Sequence, residues 1–174
     1  MRRFIIALTA LFMCIGVASA QRYIVVDSEK IFRSIDQYNT AMTTLDNLAK
    51  EYQAKVDATY AAVENLYNNY MAQKANLTAA QRNAKEQEIL TKEQAATEYQ
   101  QSVFGNDGVM MKKRIELIQP IQKRVFSAID NYAKAGGYDM VLDKASNATM
   151  LYCSEAVDHT QKIIELLNNT NKHL

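Results

Sequence analysis

The sequence predicts a mostly helical α+β fold, in which a long antiparallel coiled-coil helical hairpin joins a small β-body formed by oligomerisation. The 174 residues include only five Gly and one Pro, although average usage would give about twelve and about nine. A heptad stripe of apolar residues runs through the first half of the chain, a short β-branched run lies at residues 23–26, and two further candidate strands lie near the C-terminus. Turn-rich β-sandwiches and Gly-rich phosphate loops are therefore excluded.

Residues 1–20 have the pattern of a cleaved signal peptide. Arg2 and Arg3 supply a positive start, residues 4–17 are almost wholly apolar, and the segment ends in small residues at Ala20. The apolar run is short beside the ~20 residues that a membrane-spanning helix needs. No later segment is apolar enough to span a bilayer, so we expect a soluble, exported mature protein.

The predicted mature chain, residues 21–174, is close to neutral. Loss of Arg2 and Arg3 leaves 18 basic and 19 acidic side chains, a net charge of −1. Such a chain has no general basic field for nucleic acid. Cys14 leaves with the signal peptide, so Cys153 remains as the single cysteine and no intrachain disulfide can form.

The mature chain begins with a predicted strand at residues 23–26, which Asp27 and Ser28 follow as a helix N-cap. A seam with alternating steps of four and three residues comes next, and ten of its twelve positions are apolar or aromatic. The seam consists of Tyr38, Met42, Leu45, Ala49, Tyr52, Val56, Thr59, Val63, Leu66, Tyr70, Gln73 and Leu77. This pattern indicates a coiled-coil helix about 60 Å long, which needs a partner helix.

The partner helix is predicted to follow a tight reversal at residues 75–77, with Thr78 and Gln81 forming a capping box. Its first seam contains Ile89, Lys92, Ala96, Tyr99 and Val103, and its second contains Phe104, Met111, Ile115, Ile118, Gln122, Val125, Ile129 and Tyr132. Gly105 and Gly108 separate the seams, and each costs about 1 kcal/mol of helix propensity. We expect a break there that acts as a hinge for an outer arm of residues 49–106, with Pro120 as a further kink.

The β-body is predicted to include residues 21–37 and 133–174, which leaves 38–132 for the hairpin. Gly136 and Gly137 end the return helix, two strands follow at residues 138–143 and 148–153, and Asp158 caps a final helix with Gln161 at its third position. Three short strands cannot cover a sheet alone, so we expect association between copies of the body. The residues expected there are Ile24, Val25, Val26, Met140, Val141, Leu142, Met150, Leu151 and Tyr152.

No sequence motif predicts a catalytic residue, a metal site or a cofactor, because HExxH, CxxC, GxSxG and Walker-type stretches are missing. Cys153, Asp158 and His159 permit a thiol-catalysis hypothesis. A buried small residue at the end of a strand explains Cys153 more simply. Three aspartates near strand ends fit caps and loop contacts better than an acidic site: Asp27, Asp139 and Asp143.

The aromatic residues of the hairpin are its most informative feature. Tyr60 and Tyr67 are seven residues apart beside the seam, where they either broaden the core or form an exposed aromatic ledge. Tyr52 and Tyr70 lie on the seam, where packing is the simpler interpretation. The predicted binding surface is diffuse and includes Tyr52, Val56, Tyr60, Tyr67, Tyr70, Leu77, Ile89, Leu90 and Tyr99.

Four stretches, residues 23–32, 119–125, 137–143 and 157–168, resemble in sequence and order the Skp/OmpH-like family of periplasmic chaperones. The resemblance covers essentially the whole mature chain. It implies a periplasmic homotrimer with a central β-body, whose hairpins hang as tentacles around a cavity. That cavity holds unfolded outer-membrane proteins without ATP, and the family implies neither catalytic residues nor a cofactor.

Two functions follow from the sequence. The first is an ATP-independent holdase for unfolded outer-membrane proteins, and the alternative is a structural adaptor whose hairpin docks on one folded cell-envelope partner. The best-known family members are strongly basic, whereas this mature chain is nearly neutral. Contact with membrane or lipopolysaccharide is therefore left open at this point.

Overall fold

The computed structural model describes residues 22–146 and 150–171, and the predicted signal peptide lies outside them. The elements are β1 (Tyr23–Val26), α1 (Ser28–Arg33), α2 (Asp36–Gln73), a 3-10 turn (Lys74–Asn76), α3 (Ala79–Phe104), α4 (Val109–Gly136), β2 (Met140–Asp143) and α5 (Thr160–Asn171). The predicted mostly helical fold with a small sheet is confirmed. Two compact units form: a body unit, up to residue 30 and from 128 onward, and a hairpin unit of residues 31–127.

Strand β1 lies at the centre of the body unit. It pairs in parallel with β2 along its whole length. On the other side of β1, the Val25 N–H donates to the Val157 carbonyl at 2.8 Å, and the His159 N–H donates to the Val25 carbonyl at 2.8 Å. Because β1 is bonded on both sides, all of it except Tyr23 is buried. Helix α5 adds the buried side chains of Ile163, Ile164 and Leu167 to the core of this unit.

The prediction of a strand at residues 148–153 is wrong for residues 150–153, which the structure describes. Residues 150–153 have no regular secondary structure, and residues 147–149 lie outside the described chain. Residues 157–159 occupy the second edge of β1 instead, through a parallel bridge between Val25 and Asp158. The apolar residues 150–153 resemble a strand in sequence, but the segment that leads into α5 is the one that bonds to the edge of β1.

Helices α2 and α3 form the predicted antiparallel pair. The Tyr60 hydroxyl donates to Gln100 Oε1 at 2.9 Å, and the Tyr70 hydroxyl donates to Glu86. Residue numbers therefore rise along α2 as they fall along α3. Every predicted seam position between residues 38 and 77 is buried or half-buried except Gln73, which confirms the heptad stripe.

The helix ends at the reversal and at the close of α4 follow the local sequence signals. The Gln81 N–H donates to Thr78 Oγ1 at 3.3 Å, and the Thr78 N–H donates to Gln81 Oε1 at 2.9 Å, which is the predicted capping box. At the end of α4, Gly137 has φ of +63°. The Tyr138 N–H there donates to the Ala133 carbonyl at 2.9 Å in a Schellman-type ending.

An interruption between α1 and α2, at Ser34 and Ile35, was not predicted because neither Gly nor Pro is present. The Ser34 hydroxyl donates to the Ile31 carbonyl at 2.7 Å, and the Asn39 amide donates to the Arg33 carbonyl at 2.9 Å. Short polar side chains thus add hydrogen bonds to carbonyls of the last turn of α1.

The predicted break in the return helix is confirmed between Phe104 and Val109. A Cβ atom on Gly105 would collide with the Gln101 carbonyl oxygen, and one on Gly108 would lie 2.5 Å from the Val103 carbonyl oxygen. Close approach of the backbone therefore requires glycine at both positions. The hinge role of the two glycines stays a prediction, and α4 continues through Pro120 as one helix.

The predicted seams of the return helix need correction on either side of this break. Lys92 in the first seam is exposed, and so are four positions of the second seam: Phe104, Met111, Ile115 and Gln122. Met110, Leu117 and Ile121 are buried or half-buried instead, together with the predicted Ile118, Val125, Ile129 and Tyr132. The second seam was counted from Phe104 across residues 105–108, but α4 begins after the loop with its own rotation about the helix axis.

We predict that the double substitution Gly105→Ala and Gly108→Ala destabilises the hairpin unit. The added methyl groups overlap backbone oxygen atoms, and such overpacking costs about 1–3 kcal/mol in the free energy of unfolding. Urea unfolding followed by circular dichroism measures the change. The exposed neighbour provides the control, since Asn106→Ala is expected to stay within about 0.5 kcal/mol of the parent. Equal stability of all three proteins would show that the loop readily rearranges.

Candidate functional site

The structure places the predicted binding residues at very different depths in the hairpin unit. Val56 and Tyr70 are buried, with 2% and 5% of their surface exposed. Tyr52, Leu77, Ile89 and Tyr99 are half-buried, whereas Tyr60, Tyr67 and Leu90 are exposed. The last three have between 36% and 50% of their surface exposed.

Two of the tyrosines also tie α2 to α3. Tyr60 is exposed but donates its hydroxyl hydrogen to Gln100, and Tyr70 donates to the Glu86 carboxylate. The hydrogen bond to Glu86, followed by burial, raises the pKa of the Tyr70 phenol. A buried tyrosine needs such a partner for its hydroxyl group, so Tyr70 contributes to packing of the hairpin.

An exposed apolar strip on α4 was missed because the sequence pattern assigned its residues to the core. Met111 and Ile115 are 44% and 49% exposed. They lie four residues apart and so occupy the same face of the helix. Phe104, at the end of α3, is 39% exposed. The signal that could have revealed this strip was the glycine pair itself, because seam phase cannot be carried across a helix break.

A pocket of about 320 Å³ adjoins this strip. Its apolar lining consists of Met42, Leu45, Ala49, Phe104, Met110 and Met111, and Asp46 and Arg114 also line it. Within the described chain, the side chains of Asp46 and Arg114 form no hydrogen bond and no ion pair. Methionine side chains are flexible and polarisable, so this lining suits apolar groups of different shapes.

The body unit has a second exposed apolar surface, in the segment that precedes α5. Leu151 is 97% exposed and Tyr152 is 83% exposed. Tyr23 and Met140, at the starts of β1 and β2, are about half exposed. Of the other residues predicted for association, Ile24, Val25 and Val26 are buried, while Val141, Leu142 and Met150 are half-buried. Contiguous exposed apolar side chains of this kind mark interaction surfaces.

The three aspartates near the strand ends serve as caps and loop contacts. Asp143 accepts hydrogen bonds from the Ser28 N–H at 3.0 Å and the Ser28 hydroxyl at 2.5 Å. Asp27 accepts from the Lys30 N–H at 2.9 Å, and Asp139 accepts from the Arg22 N–H at 2.8 Å. Within residues 22–146 and 150–171, no group of acidic, His and Cys side chains could hold a metal ion.

Asp158 joins the loop after β2 to the start of α5. Its carboxylate accepts from Lys144 Nζ at 2.6 Å, from the Thr160 N–H at 3.0 Å and from the Thr160 hydroxyl at 2.5 Å. Partial burial disfavours the charged carboxylate, but the bonds from Lys144 and Thr160 outweigh it and lower the pKa to about 2. Gln161 is the second residue of α5 rather than the third, and it bonds to Glu165.

His159 occupies an aromatic site within the body unit. Its ring contacts those of Tyr132 and Tyr138 edge-on, with centroid distances of 5.5 and 5.3 Å. The Nδ1 atom lies 2.8 Å from the Tyr132 hydroxyl oxygen. Cys153 is half-buried, and its Sγ donates to the Ser154 carbonyl at 3.5 Å. Among the described residues no hydrogen bond joins Cys153 to His159, which gives the thiol-catalysis hypothesis no support.

The fold and these surfaces define a class of protein with a coiled-coil hairpin, a small sheet and exposed apolar patches. Its family follows from residues 22–167, which match the model of the outer membrane protein (OmpH-like) family, and the chain belongs to that family. The crystal structure of a candidate outer membrane chaperone (OmpH-like) from Caulobacter crescentus CB15 has a TM-score of 0.65 and 12% identity, covering 87% of this chain and 86% of that chain. No curated protein matches the chain. The similarity to the Caulobacter structure supports the fold alone.

None of the helices in the described residues combines the length and the apolar composition that a membrane-spanning helix needs.

We predict that Asp158→Asn lowers the free energy of unfolding by about 1–2 kcal/mol at pH 7, because the pair with Lys144 loses its charge. The pKa of about 2 for Asp158 in the folded protein lies below the ordinary aspartate pKa of 3.8. This stabilisation is therefore present above about pH 4 and is lost as the pH falls towards about 2. Urea unfolding of parent and variant at a series of pH values measures the difference.

Asp130→Asn is the matched control for this prediction. Asp130 accepts from Lys134 at 2.7 Å, but both side chains are more than half exposed. An exposed helical pair of this kind contributes only about 0.3–0.5 kcal/mol. Equal losses in the two variants at pH 7 would contradict a special role for Asp158.

Proposed function

We propose that this protein is an ATP-independent periplasmic holdase chaperone that binds unfolded outer-membrane proteins between the helical arms of a homotrimer. Membership of the OmpH-like family supports this class of function, and the Caulobacter protein with the same fold is described as a candidate outer membrane chaperone. The periplasmic location is supported by the signal-peptide pattern of residues 1–20.

The exposed apolar residues of the hairpin unit carry the proposal. Tyr67, Leu90, Met111 and Ile115 each have between 44% and 50% of their surface exposed. Apolar side chains spread along long helices offer many weak contacts to an extended chain, rather than one rigid site. Burial of apolar surface contributes about 25 cal/mol per Å², so several such contacts together can hold an unfolded segment.

The pocket beside the α4 strip adds a more specific contact for an unfolded chain. Its Met, Leu and Phe lining accepts a single apolar side chain, and its volume of about 320 Å³ lies at the lower end of ligand pockets. Asp46 and Arg114 place one charge of each sign at this pocket. An outer-membrane strand alternates apolar and polar residues, so an apolar side chain there has polar neighbours for these two charges.

Association through the body unit explains its exposed apolar segment. A two-stranded sheet is marginal by itself, and the outer edge of β2 has no partner strand within the described residues. Leu151 and Tyr152 lie in the same unit and are almost fully exposed. Docking of this segment on a second copy would cover both features, and three copies would place three hairpins around one cavity.

We predict that replacing Met111, Ile115 and Phe104 by Ser weakens capture of an unfolded outer-membrane barrel about tenfold. Between 39% and 49% of the surface of each residue is exposed, so replacement removes apolar surface that an unfolded chain could contact. A tenfold loss corresponds to about 1.4 kcal/mol, less than the transfer free energy of three such side chains. The measurement is suppression of light scattering when a urea-unfolded barrel is diluted into a titration of the chaperone.

The control changes the polar side of the same helix, with Lys112→Ser and Gln119→Ser, and should retain full suppression. Failure of the parent protein to suppress aggregation at stoichiometric ratio would contradict the proposed function. A pull-down that recovers one folded partner in fixed ratio, rather than many unfolded proteins, would indicate the structural adaptor instead.

We predict that Leu151→Asp converts the assembly into monomers, because a charge on a buried apolar contact is strongly unfavourable. Multi-angle light scattering should give about three times the mature chain mass for the parent and about one times for the variant. Glu155→Ala, in the same exposed stretch, should leave the mass unchanged. A monomeric parent protein would disprove the assembly, and an oligomeric Leu151→Asp variant would disprove this contact.

A further inference from the structure

His159 is a titratable residue that the chaperone function does not use. It is 4% exposed, and it is one of only two histidines in the chain, the other being His173. Histidine is the side chain whose ordinary pKa falls between pH 5 and 8. A buried histidine therefore makes the surrounding structure sensitive to mild acid.

The backbone of His159 links strand β1 to helix α5. Its N–H donates to the Val25 carbonyl at 2.8 Å, and its carbonyl accepts from the Ile163 N–H at 3.2 Å in the first turn of α5. The ring meanwhile reaches Tyr132 near the end of α4. One residue thus connects the edge of β1, the start of α5 and the end of α4 within the body unit.

The charged and titratable neighbours of the His159 ring do not offset the effect of burial on its pKa. Burial lowers the pKa of His159, and the charge of Lys162 acts in the same direction, while the Ala156 backbone and Asp158 oppose them. Asp158 is already occupied by Lys144 and Thr160. The facing groups from the other elements are the Tyr132 and Tyr138 phenols, and the Arg22 guanidinium lies 5.0 Å from the Tyr138 ring centroid.

We propose that protonation of His159 loosens residues 157–159 from β1, so that the body unit and the assembly built on it become acid-sensitive. A neutral ring accepts the Tyr132 hydroxyl hydrogen at Nδ1, whereas in the imidazolium both nitrogens are donors and the hydroxyl must turn to accept. The charge would then occupy a buried aromatic site. The effect on the body unit stands by itself, and the effect on assembly rests on the proposed function.

The direction of the pH dependence follows from proton linkage. The unfolded chain takes up the His159 proton near pH 6.5, but the folded body unit takes it up only at lower pH. The stability that the neutral His159 ring contributes is fully present above pH 6.5. Below that value, protonation of this residue lowers the ratio of folded to unfolded protein by up to about tenfold per pH unit. The loss ends once the pH falls below the folded pKa.

NMR titration of the histidine ring signals of the wild-type protein tests the first step directly. His159 should titrate below pH 6.5, the ordinary value for a histidine side chain. Tyr132→Phe removes the hydroxyl that donates to the neutral ring at Nδ1, so the His159 midpoint should move to a higher pH than in the wild type. Titration of wild-type His159 at or above pH 6.5 would overturn the proposal.

Thermal unfolding at pH 7.5 and 5.5 tests the consequence for stability. The wild-type protein and the control His173→Gln should lose stability equally at pH 5.5, and His159→Gln should lose less than half as much. An undiminished loss in His159→Gln would overturn the proposal. If His159→Gln does not fold, the ring titrations of the wild type and of Tyr132→Phe decide whether the proposal holds.

Light scattering at the same two pH values separates this inference from the proposed function. The expected result is an oligomer at pH 7.5 that dissociates at pH 5.5, with greater retention in His159→Gln. A monomer at both pH values would disprove the proposed assembly, while the titration and unfolding results would still decide the role of His159. A wild-type oligomer that stays intact at pH 5.5 would overturn the effect on assembly.

Discussion

The parallel pairing of β1 with β2 is the constraint on which the rest of the structure depends. Parallel neighbours need a crossover connection, because the chain must return to the same end of the sheet before it can pair again. Here the crossover contains all of residues 27–139 and takes the form of a helical hairpin rather than a single helix. The two ends of the described chain therefore build one small body, while the middle is free to form long helices with extensive exposed surface.

The glycine break gives this hairpin its functional character. Close packing of backbone at Gly105 and Gly108 rotates α4 relative to α3, so residues that continue the apolar pattern do not continue the buried face. Met111 and Ile115 become surface residues, and the methionine-lined pocket opens beside them. A steric requirement at two glycines thus leaves apolar residues of α4 on the surface that the sequence pattern assigns to the core.

The body unit depends on hydrogen bonds from side chains as much as on apolar packing. Asp143 binds the start of α1, Asp158 binds Lys144 and the start of α5, and His159 joins β1 to the aromatic pair of Tyr132 and Tyr138. A sheet of two strands buries too little surface to be secure alone. Polar contacts therefore stabilise the loops around it.

Local features were determined by the sequence alone: the heptad stripe of α2, the capping box at Thr78 and Gln81, the glycine ending of α4 and the break at residues 105–108. Each depends on interactions within a few residues, and such interactions leave a regular pattern or a required residue type. The tertiary structure alone decided which segment completes β1, and it placed residues 157–159 there rather than 150–153. It also decided the rotation of α4 after the break and the burial of His159. These outcomes depend on contacts between segments far apart in the chain, for which neither periodicity nor propensity carries a signal.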